Sequence, residues 1–424
     1  MHGFGHSLCK NAKLYDGSLG DNTADLKYQN RVILHCDLNN FYASVESLFN
    51  PRLKTVPCAV CGSYEDRAGI VLAKNDLAKK KGVQTAEVIW KAQQKCPELV
   101  IVEPHFDRYE RFSKLVYSVY LEYTDLVEAF GLDECWLDVT ASQRLFGSGY
   151  EIADKIRNEI KERFGLTVSI GVSFNKVFAK LGSDMKKPDA ITEITKENFK
   201  QKVWGLPASD MLWVGRATNE MLSRFYLKTI GDVATSDRDF LVRRFGKNGN
   251  ALWRNANGLD FEPVMQVEYK RQIKSVGNSQ TLRRDLVNNH EVWYVMLSLS
   301  EQVAKRLRDN SLCATGVAIS VKTEDLEYRE YQIQLNYPIN TALTLAQTGF
   351  ELFERHFKWH KNVRSVGIRG INLVSDNTDV QCSMFRDDRK IEKEEILAQT
   401  TDKLRSRFGF DIVKRAVLNE QMNI

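Results

Sequence analysis

Leu126-Val-Glu-Ala-Phe130, Gly131-Leu-Asp-Glu134 and Cys135-Trp-Leu-Asp-Val139 follow one another without a break, and their reading decides the fold. Two strand-like apolar runs flank a few residues that include Gly, the pattern of a β-hairpin. Asp133 and Glu134 then fall at or beside the turn. N-terminal to this, Arg31-Val-Ile-Leu-His-Cys-Asp37 is a short, mostly apolar run suited to a buried strand, and it ends on a third carboxylate. Phe41-Tyr-Ala-Ser-Val-Glu-Ser-Leu-Phe49 carries apolar residues at helical spacing. C-terminal to the hairpin, a helix is predicted over 151–163 and a strand over Thr167–Val172. The whole segment reads as a split βαβ sheet with helices on one face.

Between these parts, Val56–Cys61 and Gly69–Ala73 read as short strands, and a helix through Lys79, Lys80 and Lys81 stops at Gly82. Ala86–Lys95 reads as a helix, Leu99–Glu103 as a strand, and Arg108–Tyr123 as a long helix with Tyr109, Phe112, Leu115, Val116 and Val119 on its apolar side. From about Asp189 the pattern turns helical and short, punctuated by Gly215, Gly231, Gly246, Gly249 and Gly258. Residues 261–271 read as a linker, Ile273 to about Val374 as mixed strands and helices, and the last stretch as a tail with a charged helix. Residues 1–30 form an extension without sustained periodicity.

A chain of 424 residues is long enough for about three domains, and 43% hydrophobic against 27% charged residues with 8 prolines marks it as globular. The net charge of +5 permits a polyanionic partner without requiring one. No run approaches the roughly 20 apolar residues of a membrane span, and residues 1–30 lack the apolar stretch of a signal peptide, so a cytoplasmic location is expected. The 8 cysteines are scattered from Cys9 to Cys382, which agrees with a reducing compartment rather than a disulfide framework. Cys58 and Cys61 have CxxC spacing but no second pair, and read as core residues. His356 and His360 lie one helical turn apart without a third ligand and read as surface histidines.

The three carboxylates carry the chemistry. Mg²⁺ prefers oxygen ligands and is commonly held by a few carboxylates together with substrate phosphates. Two such ions about 3.5–4 Å apart can clamp the attacking and leaving oxygens of a phosphoryl transfer. An Asp-Glu pair in a loop is by itself usually solvated turn chemistry. Its setting is more informative: Asp37-Leu-Asn-Asn-Phe-Tyr-Ala-Ser-Val-Glu46 and Gly131-Leu-Asp-Glu-Cys-Trp-Leu-Asp-Val-Thr140 closely resemble the two catalytic motifs of Y-family (UmuC/DinB-like) DNA polymerases of bacterial type. Ile170-Gly-Val-Ser-Phe-Asn-Lys-Val-Phe-Ala-Lys-Leu-Gly-Ser-Asp-Met-Lys-Lys-Pro188 resembles that family's third hallmark.

The resemblance implies an α+β, right-hand polymerase: a ferredoxin-like palm with small fingers over 31–188 (fingers about 41–95), a helical thumb with a helix-hairpin-helix over 189–262, a linker over 263–272, an α/β little finger over 273–380 and a tail over 381–424. It implies error-prone translesion synthesis without proofreading. Asp37, Asp133, Glu134 and the Leu38 carbonyl would hold two Mg²⁺ ions, with Mn²⁺ as an alternative. Phe41 and Tyr42 would meet the nucleotide, Tyr42 as a steric gate against a 2′-hydroxyl, and Lys79 and Lys187 would bind the triphosphate. This chain departs from the family at Gly131 and Leu132 before the acidic pair, at Asn39, at Asp76 and at Lys79, where Arg is usual.

Leu206 through Gly215 and Arg216 to Asp232 resembles a helix-hairpin-helix in which one turn glycine survives, and Gly215 and Arg216 are its candidate DNA contacts. Lys274 and Arg283 are candidate contacts in the little finger, aimed at the DNA backbone. Gln381, Met384 and Phe385 match the Gln-x-x-Leu-Phe peptide that docks on a sliding clamp. The expected partners are primer–template DNA, deoxynucleoside triphosphates and the clamp, with a monomeric chain and no membrane. Two rival readings are a catalytically weak relative that only binds DNA and clamp, and a nucleotide cyclase with the same two-metal logic.

Overall fold

The computed structural model describes residues 30–63, 69–269, 272–378 and 388–419. They divide into two compact units, one comprising the residues up to Gly62 with Ile70–Tyr269, the other Ser63, Gly69 and the residues after Tyr269.

In the first unit, β1 (Ile33–Leu38) is buried along its whole length, as its apolar sequence requires. It is flanked on both sides by antiparallel partners, β6 (Glu134–Asp138) and β7 (Val168–Ser173). β5 (Val127–Ala129) pairs with β6 to form the expected hairpin, and β8 (Ile191–Ile194) runs parallel to β7, giving the order β5-β6-β1-β7-β8. β8 corrects the expectation that the helical segment starts at Asp189: these four residues complete the sheet.

α1 (Phe41–Phe49), α4 (Phe106–Tyr123) and α5 (Gly149–Phe164) lay their apolar stripes on the Leu34, Cys36 and Leu38 side of β1. α5 opens on a capping box between Ser148 and Glu151 and closes on Gly165 at φ 66°, a left-handed stop that suits Gly. On α4 the buried line runs through Tyr109, Val116, Val119 and Tyr120, while Leu115 is 36% exposed, against the expectation that it faces inward. α6 (Lys176–Met185) covers the opposite face, so helices flank the sheet on both sides rather than one. Gly171 makes this possible, because a Cβ there would sit 1.8 Å from the Ala179 carbonyl oxygen. Asn175 caps α6 by accepting from the Phe178 amide.

A second, small sheet of order β3-β2-β4 joins β2 (Cys58–Cys61), β3 (Val71–Lys74) and β4 (Val100–Val102). With α2 (Asp76–Lys80) and α3 (Ile89–Lys95) it encloses its own core of Ala59, Cys61, Val71, Ala78, Ile89 and Ala92. Cys58 and Cys61 are buried free thiols, as expected of core residues.

α7 (Arg216–Arg224), α8 (Ile230–Thr235), α9 (Arg238–Phe245) and α10 (Lys247–Ala256) pack around Met211, Leu222, Ile230, Val233, Leu241 and Leu252. Part of the expected linker is tied to the sheet. Arg31 donates to the Asp260 and Glu262 carbonyls, the Met265 amide donates to Glu128, and the Val267 amide donates to the Asp125 carbonyl.

The second unit is a four-stranded antiparallel sheet of order β11-β10-β12-β9, built from β9 (Ser275–Leu286), β10 (Leu312–Thr323), β11 (Tyr328–Ile339) and β12 (Val363–Ser375). α11 (Asn289–Asp309) and α12 (Ala342–His356) cover it with an apolar core. α13 (Asp388–Phe408) docks on α11: Arg405 and Arg415 both bond buried Glu301, and Arg308 forks onto Asp402 at 2.7 and 3.0 Å.

Candidate active site

Asp37 and Glu134 face each other directly across the β1–β6 ladder, so both side chains project from the same face. The Leu38 amide bonds the Asp133 carbonyl at 3.0 Å, which carries the ladder one step further into the turn. The register therefore brings Asp37 and Glu134 together and holds the Asp133 backbone in the adjoining turn. Beneath them, His35 and Trp136 pair on the same face, with ring centroids 5.1 Å apart.

α6 and the loop after it bring cations to this edge. Lys187 Nζ lies 2.7 Å from Asp37 and 2.9 Å from Asp184. Lys180 Nζ lies 2.8 Å from Glu134, 3.5 Å from Asp184 and 3.9 Å from Asp37. His35 Nε2 is 3.4 Å from Glu134 and its Nδ1 2.9 Å from the Ser183 hydroxyl. The close packing of α6 on β7 at Gly171 is what carries these side chains within reach.

The electrostatics split the two adjacent acids. Burial, then the charges of Glu134 and Asp37, push the Asp133 carboxyl up to about 6. Burial would raise Glu134 too, but the neighbouring His35 imidazole and the Lys180 charge prevail and hold it down at about 2. Burial raises Asp37 against the pull of Lys187. It lowers the wholly buried His35 to about 4, which keeps the imidazole neutral at physiological pH.

Among the described residues no three His, Cys, Asp or Glu side chains converge in a ready metal-ligating group. Oxygens of Asp37 and Glu134 are engaged by the two lysine amines instead. The chemistry of the set nonetheless fits a hard divalent cation: all donors are oxygens, and a cation would relieve the like-charge crowding that raises Asp133.

Tyr42 stacks on Tyr109 with centroids 4.2 Å apart and planes 10° from parallel. The Tyr109 hydroxyl donates to Glu46 at 2.7 Å, and Arg108 donates to the other oxygen of Glu46 at 2.9 Å. The ring of Tyr42 is thus backed by a fixed partner. Phe41, by contrast, is 3% exposed and belongs to the core, which leaves only its backbone for a nucleotide contact. Asn39, a departure from the family, is buried and spans Ser169 and the Asp189 amide. Asp76 accepts from Asn40, a left-handed residue at φ 49°, and so joins the small sheet's first helix to the start of α1.

Lys79 is exposed on α2. Lys74, which the motifs do not single out, is pushed below the usual lysine range by burial and then by the charge of Lys79. Gly215 caps α7 with open space where a Cβ would be, and the Arg216 side chain is 94% exposed. Lys274 precedes β9 in the second unit, and Arg283 lies on the strand's exposed side, next to buried Leu282. Gln381, Met384 and Phe385 lie outside the described residues.

Sequence reasoning brought Asp37, Asp133, Glu134 and Lys187 to this site and missed His35, Lys180, Ser183 and Asp184. A signal was present: Lys180, Ser183 and Asp184 fall at i, i+3 and i+4, a spacing that puts them on one helix face.

Comparison with known proteins places this geometry. The impB/mucB/samB family model matches residues 36–184, and the model of that family's C-terminal domain matches residues 273–384. A DNA polymerase IV of Acetivibrio thermocellus is 51% identical over 388 residues, covering 92% of this chain and 97% of the relative. DNA polymerase IV 2 of Bacillus subtilis is 37% identical over 393 residues, covering 91% and 94%. A Y-family DNA polymerase chimera of Dbh and Dpo4 shares the fold, with a TM-score of 0.70 over 81% of this chain and 99% of that one at 24% identity. The chain therefore belongs to the impB/mucB/samB family of Y-family DNA polymerases and is a DNA-directed DNA polymerase.

Proposed function

We propose that this polymerase carries out error-prone translesion synthesis, without proofreading, by nucleotidyl transfer supported by two divalent ions at Asp37, Asp133 and Glu134. The observation that carries the reading is the β1–β6 register, which sets Asp37 against Glu134 with Asp133 in the adjoining turn. Mg²⁺, with Mn²⁺ as a substitute, would supply Lewis-acid activation of the primer 3′-hydroxyl and neutralisation of the phosphates. Asp37, Asp133, Glu134 and the Leu38 carbonyl are the groups that would hold it.

The protein's own residues position and neutralise. Lys180 and His35 keep Glu134 ionised and fixed. Lys187 already engages Asp37 and Asp184 and is poised to exchange them for triphosphate oxygens, with Lys79 and Lys74 as further cations from the small sheet. Tyr42, braced by Tyr109, lies under the incoming sugar and excludes a 2′-hydroxyl. The 3′-hydroxyl attacks the α-phosphate and pyrophosphate leaves, with catalysis coming from orientation and charge placement.

Gly215, Arg216, Lys274 and Arg283 grip the DNA backbone, which gives salt-sensitive, sequence-independent affinity. Gln381, Met384 and Phe385 dock on the sliding clamp, and the chain acts as a monomer. The small sheet and its helices serve as fingers, the helices after β8 as the thumb, and the second unit as the little finger.

Extension past an abasic site with Mg²⁺ tests the translesion reading: full-length product and extension of mismatched primers are expected. A complete stop before the lesion, or excision of the mismatched base, would contradict it. Deleting Gln381–Phe385 is expected to abolish stimulation by clamp while sparing basal extension.

A further inference from the structure

The layer beneath the carboxylates continues into the thumb. Trp213, in the hairpin that precedes α7, has φ 73°, a left-handed backbone that a bulky residue adopts only under strain and that Gly adopts freely. Such strain persists where the surroundings hold it. The Val214 amide, donating to the Met211 carbonyl at 3.0 Å, closes the turn that sets this φ, and an aromatic contact seats the side chain. The half-exposed indole of Trp213 meets Phe130 edge to face, with centroids 6.0 Å apart and planes at 90°.

Phe130 in turn packs on Trp136 at 4.7 Å, and Trp136 on His35 at 5.1 Å, whose Nε2 lies 3.4 Å from Glu134. The Phe130 amide also donates to the Glu134 carbonyl at 2.9 Å, closing the hairpin that carries Asp133. Lys180, bonded to Glu134 at 2.8 Å, lies over the Phe130 ring at 5.9 Å. Leu212, the neighbour of Trp213, packs into the same cluster as Ile33, Trp136 and Ala179. Phe130 thus links Trp213 to Trp136 and Lys180, the side chains that adjoin or hold the supports of Glu134.

We propose that Trp213 is a positioning residue for nucleotidyl transfer: through Phe130 it fixes the turn that holds Asp133 and Glu134, so that the placement of the thumb sets the placement of the carboxylates. The proposal rests on the reading of those carboxylates as the polymerase centre. Trp213 touches none of the reacting groups, and its effect runs through packing alone.

Single-turnover extension of a primer–template, with Mg²⁺, by the full-length protein tests it. The variants are Trp213→Gly, Trp213→Phe, Phe130→Leu and the Trp213→Gly/Phe130→Leu double, with DNA affinity measured separately by anisotropy. Trp213→Gly is expected to bind DNA within about twofold of wild type yet lose on the order of tenfold in maximal rate at saturating DNA and nucleotide. Trp213→Phe, which keeps a ring edge for Phe130, is expected to restore most of that rate. The double variant is expected to lose no more than Phe130→Leu alone, since both break one connection.

An unchanged maximal rate in Trp213→Gly would overturn the proposal. So would a loss confined to DNA affinity, which would make Trp213 a DNA contact, or additive losses in the double variant. If Trp213→Gly does not fold, Trp213→Leu replaces it, with the same loss expected and the Phe variant still active. A wild-type protein that extends nothing would instead sink the polymerase reading itself.

Discussion

Asp133 and Glu134 are neighbours in sequence with opposite electrostatic fates, one carboxyl raised to about 6 by burial and adjacent acids, the other held at about 2 by His35 and Lys180. The first has a stability consequence. Below the ordinary Asp value of 3.8 the carboxyl is protonated in both folded and unfolded chains and contributes nothing. As pH rises toward about 6 the folded state keeps the proton that the unfolded state has lost, so stability falls, and above that pH the full cost remains. Asp133→Asn is therefore expected to raise the stability of the cation-free protein at pH 8 by about 1–3 kcal/mol, with little gain at pH 4. Thermal unfolding at the two pH values checks this, and an equal or lower melting temperature at pH 8 would contradict it. A second residue-scale expectation concerns the gate. Tyr42→Ala should admit ribonucleotides, and Tyr109→Leu should do so to a lesser extent, because it removes the ring on which Tyr42 is stacked. Competition between ribo- and deoxynucleotides measures both. The acids and Lys187 were legible in sequence because each sits inside a long motif. His35 and Lys180 were not, because their role depends on which helix face meets the sheet.

At the scale of elements, the β5–β6 hairpin and α1 follow from apolar alternation and helical spacing, and the structure reproduces α1 at Phe41–Phe49. α6 was read as part of a motif, without its side of the sheet. The information lies in Gly171, whose missing Cβ lets the helix backbone approach the strand, and that is a tertiary fact no local pattern announces. Gly171→Ala is expected to cost about 3 kcal/mol or more, because the clash is with backbone that cannot rotate away. It should also lower extension by displacing Lys180. Gly82→Ala makes the contrast: nothing lies within 4 Å of a Cβ there, and only the left-handed φ of 84° is strained, so about 1 kcal/mol is expected. Chemical denaturation of the two variants compares them, and equal losses would mean that the close approach does not matter. β8 escaped sequence reading for another reason. Ile191-Thr-Glu-Ile194 is short and polar at half its positions, and only its parallel partner β7 makes it a strand.

At the scale of the whole molecule, the C-terminal helix read in sequence only as a charged helix in a tail, and the structure shows that arginines anchor it. Arg405 is 7% and Glu301 8% exposed, and Arg405 also bonds the Val413 carbonyl and lies 4.2 Å over the Phe410 ring. Partners about a hundred positions apart leave no trace in local periodicity. Arg405→Ala should strand Glu301 with a weaker partner and destabilise the second unit by about 3 kcal/mol, seen as a lower unfolding midpoint. An unchanged midpoint would mean the helix docks without this pair. The succession of a strand-and-helix segment, a helical segment and mixed strands and helices from Ile273 was legible from changes in periodicity; the separate small sheet and the all-antiparallel pairing of the second unit were not, because pairing joins strands far apart in sequence. The chemistry of Asp37, Asp133 and Glu134 is tested most directly by extension of an undamaged primer–template with Mg²⁺ by wild type, Asp133→Ala and Glu134→Ala. The expected result is extension by wild type and a loss of at least about a thousandfold in each variant, with DNA binding retained. Equal extension by the variants would contradict the account.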